Sequence, residues 1–157
     1  MFTKTRYFSM QSAIIASLIL VLSLGVVWAA TYSNSKVIDE NGGVIVINSD
    51  AKVTIPNGAL GDYLNEEGIG SVEITVEMVE INDGEGNLEA LEFTFGPSGV
   101  SFDPPLELRL KGDYVLADHR LYDESGEALE YTTQGNGNLI TFYISHFSSY
   151  SYDFYEY

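Results

Sequence analysis

The side chains best suited to chemistry are four oxygen-bearing residues at alternate positions of one glycine-rich segment. They are Asp83, Glu85, Asn87 and Glu89, with Gly84 and Gly86 between the first three. Carboxylate and amide oxygens are calcium ligands, and glycines let a chain wrap around an ion. The spacing does not follow the EF-hand pattern, and acidic turns are common. We therefore expect an acidic hairpin turn without a cofactor, with a Ca²⁺ site as the alternative.

Other reactive residue types occur in isolation. Ser98 stands between Gly96-Pro97 and Gly99, but the spacing is not that of a nucleophile elbow, so a turn is expected. His119 and His146 have no second histidine at a zinc-binding spacing. Cysteine is absent, which excludes disulfides and thiolate chemistry. Nothing in these patterns indicates a conventional enzyme.

The chain is strongly acidic. The chain has 157 residues, with 23 acidic and seven basic side chains. Lys4 and Arg6 precede the first long apolar run, so residues 30–157 carry five basic and 23 acidic side chains, a net charge of −18. A surface of this sign repels phosphate backbones, so nucleic acid is not an expected partner. The 45% hydrophobic content is enough for one packed domain.

The N-terminal region has the three parts of a secretory leader. Lys4 and Arg6 precede an uncharged apolar run over residues 13–30, which we expect to be helical, and Val27-Trp-Ala29 offers a signal peptidase site. The prediction is a signal peptide over residues 1–29, with the exported chain starting at Ala30. The alternative is an uncleaved anchor over residues 13–30, because about 20 apolar residues span a bilayer. The protein is therefore expected to be secreted or at the cell surface, touching a membrane only through an uncleaved leader.

After the leader, hydrophobic residues alternate with polar ones in short runs. Period-two alternation indicates strands with one buried face. It occurs in residues 72–78, 91–95, 106–110 and 140–144, and β-branched runs occupy 43–47 and 52–55. Only residues 59–67 favour a short helix, and Gly/Asn-rich turns separate the runs. The prediction is an all-β antiparallel sandwich over residues 42–152, with a short extension at 30–41 and an aromatic, acidic tail at 153–157.

The C-terminal run of residues 147–157 contains six aromatic side chains. One interpretation is a last strand, with Phe147 on one face and Tyr150 and Tyr152 on the other. The other is an exposed adhesive edge, because exposed tyrosines make good contacts at low entropic cost. We expect the strand for residues 147–152.

Three segments in order resemble the ZU-5 domain, which occurs in zonula occludens proteins, netrin receptors and ankyrins and has microbial surface relatives. They are Val53-Thr-Ile-Pro-Asn-Gly-Ala-Leu60 within the opening segment 42–60, Phe95-Gly-Pro-Ser-Gly-Val-Ser-Phe-Asp-Pro-Pro-Leu-Glu-Leu-Arg-Leu110, and Ile144-Ser-His-Phe-Ser-Ser-Tyr150. The resemblance covers residues 42–152. It implies a β-sandwich that docks proteins rather than turning over a substrate. Death domains, ankyrin repeats and a second copy are missing from this sequence, so the animal partners do not carry over.

The same resemblance implies a self-cleavage site at His146-Phe147-Ser148, since some ZU-5 relatives are cut between Phe and Ser in this tripeptide. Ser148 would attack the Phe147 carbonyl in an N-to-O acyl shift, with His146 taking the proton. The alternative is that His146 and Ser148 simply share one face of a strand.

The sequence therefore leaves three candidate functions. The first is an interaction module that binds a protein or a cell-surface polymer. The second is a domain that cuts its own chain between Phe147 and Ser148. The third is a structural subunit of a surface filament or layer.

Overall fold

The computed structural model describes residues 28–115 and 120–153. Ten strands and one α-helix lie in this part of the chain. They are β1 (Trp28–Asp39), β2 (Gly43–Val46), β3 (Ala51–Ile55), α1 (Gly61–Glu67), β4 (Ser71–Asn82), β5 (Leu88–Gly96), β6 (Ser101–Lys111), β7 (Tyr122–Asp123), β8 (Tyr131–Gln134), β9 (Leu139–His146) and β10 (Ser149–Asp153). A single 3₁₀ turn, Gly112–Tyr114, follows β6. Residues 1–27 of the predicted leader, His119 and residues 154–157 lie outside the described residues, whereas Trp28 and Ala29, the last two residues of that leader, begin β1.

The strands form two five-stranded antiparallel sheets. The first sheet has the order β1-β4-β5-β10-β7, and the second has the order β2-β3-β6-β9-β8. Apolar residues of the four predicted alternating runs fill the core between them. These buried residues are Ile74, Val76, Met78, Leu91, Phe93, Phe95, Leu106, Leu108, Leu110, Ile140, Phe142 and Ile144. The predicted all-β antiparallel sandwich is confirmed, because the period-two pattern correctly marks which face of each strand is buried.

The segment expected as an extension, residues 30–41, carries most of β1. This 12-residue strand pairs antiparallel with β4 along its whole length, from Trp28 opposite Asn82 to Asp39 opposite Ser71. The domain therefore begins earlier than residue 42. The inward positions of β1 include Asn34 and Lys36 at the margin of the sandwich, where the apolar alternation that marks a strand is lost.

Those two polar side chains protect the edge of the neighbouring sheet. Asn34 Nδ2 donates to the Val46 carbonyl at 2.8 Å, and Lys36 Nζ donates to the Val44 carbonyl at 3.3 Å. Both carbonyls belong to β2, the edge strand of the second sheet. An unpaired edge is a template for unwanted strand pairing, so these hydrogen bonds close one such edge.

The predicted short helix is present as α1 and ends at Gly68, whose φ of 67° is left-handed. In the part of the chain that the structure describes, no helix has the length and apolar character needed to cross a bilayer.

Candidate functional site

The tripeptide His146-Phe147-Ser148 lies where the chain passes from the second sheet to the first. Strand β9 ends at His146, and β10 begins at Ser149 in the opposite sheet. His146 is exposed, whereas Phe147 and Ser148 are both buried. The alternative in which His146 and Ser148 share one face of a strand is therefore wrong, because a sheet-to-sheet crossover separates them.

The hydroxyl of Ser148 contacts a carboxylate rather than the histidine. Ser148 Oγ donates a hydrogen bond to Glu124 Oε1. The hydrogen bonds of His146 go elsewhere: its Nδ1 lies 3.5 Å from Ser145 Oγ, and its carbonyl accepts from the Tyr150 hydroxyl at 2.7 Å. The sequence did not connect Glu124 with Ser148, because no local signal links two residues 24 positions apart.

Phe147 anchors the crossover in the core. Its ring stacks on Phe95 with 5.5 Å between ring centroids and meets Phe102 edge-on at 4.7 Å. Its backbone N–H donates to the Val100 carbonyl at 2.9 Å. Aromatic pairs at these separations contribute beyond simple area burial. Phe147 thus holds the two sheets together where the chain changes sheet.

Tyr150 and Tyr152 are also core residues, only 2% and 0% exposed. Burial, followed by the charges of Asp123 and Glu124, raises the pKa of Tyr150 to about 12, so its hydroxyl stays protonated and donates to His146. Strand β10 lies between β5 and β7 rather than at an edge. The interpretation of these tyrosines as an exposed adhesive edge is therefore wrong; the predicted last strand is present, but it begins at Ser149 rather than at Phe147.

The proposed calcium ligands lie in and just beyond the hairpin loop between β4 and β5. Both carboxylate oxygens of Asp83 are engaged within the loop: Oδ1 accepts from the N–H groups of Glu85 and Asn87, and Oδ2 accepts from Asn87 Nδ2, all at 2.8 Å. Hydrogen bonds from the Asn87 side chain and backbone hold the pKa of Asp83 below its usual value. Glu89 lies beyond the loop, in β5.

A second loop repeats this geometry without the same sequence. In residues 123–127, Asp123 Oδ1 accepts from the N–H groups of Ser125 and Glu127, both at 2.9 Å. Hydrogen bonding from the Ser125 side chain, and then from the Glu127 backbone, lowers the pKa of Asp123. Asp at the first position of such a turn is ordinary turn chemistry. Across residues 28–115 and 120–153, no group of three or more His, Asp or Glu side chains is arranged to hold a metal ion.

The second sheet presents an unexpected cluster of positive charge on its outer face, which we call the basic face. Lys52 of β3 is directly opposite Arg109 of β6, and Lys111 lies two residues farther along β6 on the same side. These are three of the five basic side chains in residues 28–157. They line a cavity of about 290 Å³, together with Val46, Asn48, Ser49, Asp50, Ala51 and Leu139.

Two carboxylates partly neutralise this cluster. Arg109 Nε donates to Glu107 Oε2 at 3.0 Å, and Lys111 Nζ lies 3.6 Å from Asp50 Oδ1. Within the described residues, Lys52 forms neither an ion pair nor a side-chain hydrogen bond. The three cations and two carboxylates leave a local charge of +1 in a domain of net charge −18. The sequence shows that all three cations occupy outward positions, but their convergence depends on β3 pairing with β6.

No protein-family model and no curated protein matches this chain.

Proposed function

We propose that this chain is an exported interaction module that docks an anionic protein segment or polymer on its basic face. The observation that carries the proposal is the convergence of Lys52, Arg109 and Lys111 in one cavity. Most of the basic side chains of a very acidic domain are gathered at one place, and the chemistry that complements them is a carboxylate or another anion.

The arrangement is unfavourable for the isolated domain. Lys52 and Arg109 are cross-strand neighbours, and like charges directly opposite one another destabilise a sheet. Arg109 and Lys111 each have a carboxylate beside them, whereas Lys52 has none among the described residues, so the repulsion is offset only in part. A bound anion removes the repulsion between Lys52 and Arg109, so the stability cost in the free domain favours a binding role.

The surroundings of the three cations also suit a carboxylate ligand. Asn48 and Ser49 bring polar groups to the cavity, and Val46 and Leu139 bring apolar surface for the stem of a ligand side chain. The neighbouring β2 residue Val44 is exposed as well, at 42%. Polar anchors within an apolar surround are typical of docking surfaces. The resemblance to ZU-5 domains and the leader-like N terminus support the same function at a cell surface.

A hexaglutamate peptide is a suitable probe of the basic face. Titration at intermediate ionic strength, where the long-range repulsion is screened, should shift the backbone amide signals of Lys52, Arg109 and Lys111 in ¹H–¹⁵N NMR spectra. A Lys52→Gln/Arg109→Gln variant should lose these shifts. Lys36→Gln is the control, because it removes one positive charge from outside the cavity and keeps a side-chain donor for the Val44 carbonyl of β2. Shifts spread evenly over the domain, or shifts that survive in the double variant, would contradict the proposal.

Self-cleavage between Phe147 and Ser148 is a second candidate, favoured by the contact between Ser148 Oγ and Glu124. Glu124 would accept the hydroxyl proton as Ser148 Oγ attacks the Phe147 carbonyl carbon. The Ser148 nitrogen would leave with a proton to give an ester. Water would then hydrolyse the ester to a Phe147 carboxylate and a peptide of residues 148–157.

Denaturing mass spectrometry distinguishes the two possible bases. If Glu124 acts, Glu124→Gln and Ser148→Ala should abolish cleavage, whereas His146→Ala should still cleave. A full-length wild-type mass after prolonged incubation at neutral pH would exclude self-cleavage.

A further inference from the structure

The first sheet presents the opposite charge on its outer face, which we call the acidic face. Its outward strand positions include the exposed glutamates Glu73, Glu77 and Glu92. Around them lie hydroxyl side chains, namely Thr31, Ser33, Ser35, Thr75, Thr94, Ser149 and Ser151. No lysine or arginine occupies an outward position on the described strands of this sheet. The sandwich is thus positive at one outer face and negative at the other.

The charged residues on the two faces occupy sheet positions with similar spacing. Glu77 is opposite Thr94, and Glu92 lies two residues from Thr94, so the two glutamates are diagonal neighbours about 7–8 Å apart. On the basic face, Lys52 and Arg109 are direct cross-strand neighbours whose Cβ atoms are about 5 Å apart. The Cβ atoms of Arg109 and Lys111 are separated by about 7 Å along β6. Two glutamates can therefore meet two of the cations at once.

From this complementarity we infer that the anionic partner is a second copy of this chain, whose acidic face docks on the basic face of the first. The inference rests on the proposed function of the basic face. The two outer faces lie on opposite sides of the sandwich, because the inner faces pack against each other. Such a contact joins different surfaces of the two copies and leaves one free face at each end, so it extends into a row instead of closing as a dimer.

The size of the faces indicates a weak contact. Five strands at a spacing of about 4.8 Å span about 20–24 Å, and three outward positions along a strand cover about 20 Å. The contact therefore buries about 500 Å² on each copy, below the range of stable complexes. Weak contacts repeated along a row suit a protein concentrated at a surface, where many of them act together.

The net charge sets the conditions for association. Two strongly acidic copies repel at long range, and salt screens this repulsion beyond about 8 Å at physiological ionic strength. The pairing between faces is short-ranged, and high salt weakens it too. Association should therefore be greatest at intermediate ionic strength and weaker at both extremes.

Complementation between two variants tests the inference with the exported protein, expressed from the full chain. The basic-face variant is Lys52→Gln/Arg109→Gln, and the acidic-face variant is Glu77→Gln/Glu92→Gln. In sedimentation velocity at about 1 mM protein, wild type should form a concentration-dependent series of oligomers, and each variant alone should be monomeric. The equimolar mixture should form dimers and nothing larger, since only one intact acidic face and one intact basic face remain in each pair.

The control is Lys36→Gln, which should associate like wild type. A wild-type protein that stays monomeric between 20 and 500 mM salt overturns the inference, and so does a mixture that stays monomeric while wild type associates. If wild type is monomeric but hexaglutamate still binds the basic face, self-association fails and the proposed docking function stands.

Discussion

Replacing Gly42 with alanine should destabilise the domain far more than the same replacement at Gly58. Both glycines have left-handed backbones, with φ of +73° and +82°. A Cβ at Gly42 would lie 2.2 Å from the Ile55 carbonyl oxygen and 2.6 Å from the Pro56 carbonyl oxygen, whereas a Cβ at Gly58 would meet nothing within 4 Å. The left-handed conformation is thus common to both sites, and the steric clash is specific to Gly42.

The magnitudes follow from these two contributions. A side chain in a left-handed conformation costs about 1 kcal/mol, which is the expected loss for Gly58→Ala. At Gly42 the obstructing atoms belong to the backbone, so no rotamer change relieves the clash, and overpacking adds about 2 kcal/mol. The entropy that alanine removes from the unfolded chain is the same in both variants and cancels in the comparison. Gly42→Ala should therefore lose about 3 kcal/mol.

Thermal and urea unfolding of the two variants measure this difference directly. For a domain of this size, 2 kcal/mol corresponds to a difference of about 6–10 °C in Tm. Gly42 lies in the turn that takes the chain from β1 in the first sheet to β2 in the second. Equal losses at the two sites would refute the claim that close packing of this turn against Ile55 and Pro56 requires glycine.

Phe147→Ala should cost about 3–5 kcal/mol in urea unfolding, since it leaves a cavity beside Phe95, and Phe147→Leu should cost less than half of that. The free energy of unfolding should fall as pH rises from about 10 to 12. Folding raises the pKa of Tyr150 to about 12, so the stability that this residue contributes is complete below its unfolded-state pKa and is lost as the pH rises. Tyr150→Phe should therefore make the free energy of unfolding less dependent on pH in this range. Millimolar CaCl₂ and MgCl₂ should raise Tm equally, because both screen the acidic surface. If micromolar Ca²⁺ raises Tm in 0.5 M NaCl, and Asp83→Asn abolishes that increase, the calcium site is established instead.

Much of the sheet structure could be predicted because a half-buried strand leaves a period-two pattern. The runs ending at Met78, Phe95, Leu110 and Ile144 all place their apolar residues in the core. Strand β1 was not predicted because it lies at a sheet edge. Inward-facing side chains such as Asn34 and Lys36 contact the neighbouring strand β2 there instead of the core, so apolar residues are not required at these positions.

The candidate sites could be predicted less well because they depend on pairings between distant segments. Lys52 and Arg109 are 57 residues apart in the chain and become neighbours only through the β3–β6 pairing. The contact of Ser148 with Glu124 likewise depends on β10 pairing with β7. The spacing of His146 and Ser148 was misleading because the chain changes sheets between them, and sequence periodicity carries no signal for such a crossover.

The most direct test of the docking function compares hexaglutamate binding by Lys52→Gln and Lys36→Gln at intermediate ionic strength, where salt screens the long-range repulsion between the peptide and the acidic domain. The two variants have the same net charge and differ in whether the lost cation lines the cavity of the basic face. An exposed charge pair contributes about 0.2–1 kcal/mol. The dissociation constant of Lys52→Gln for the peptide should therefore be up to about fivefold higher than that of wild type, and that of Lys36→Gln should be unchanged. Equal weakening in both variants would show that the peptide senses only the overall charge, and would contradict a docking site on the basic face.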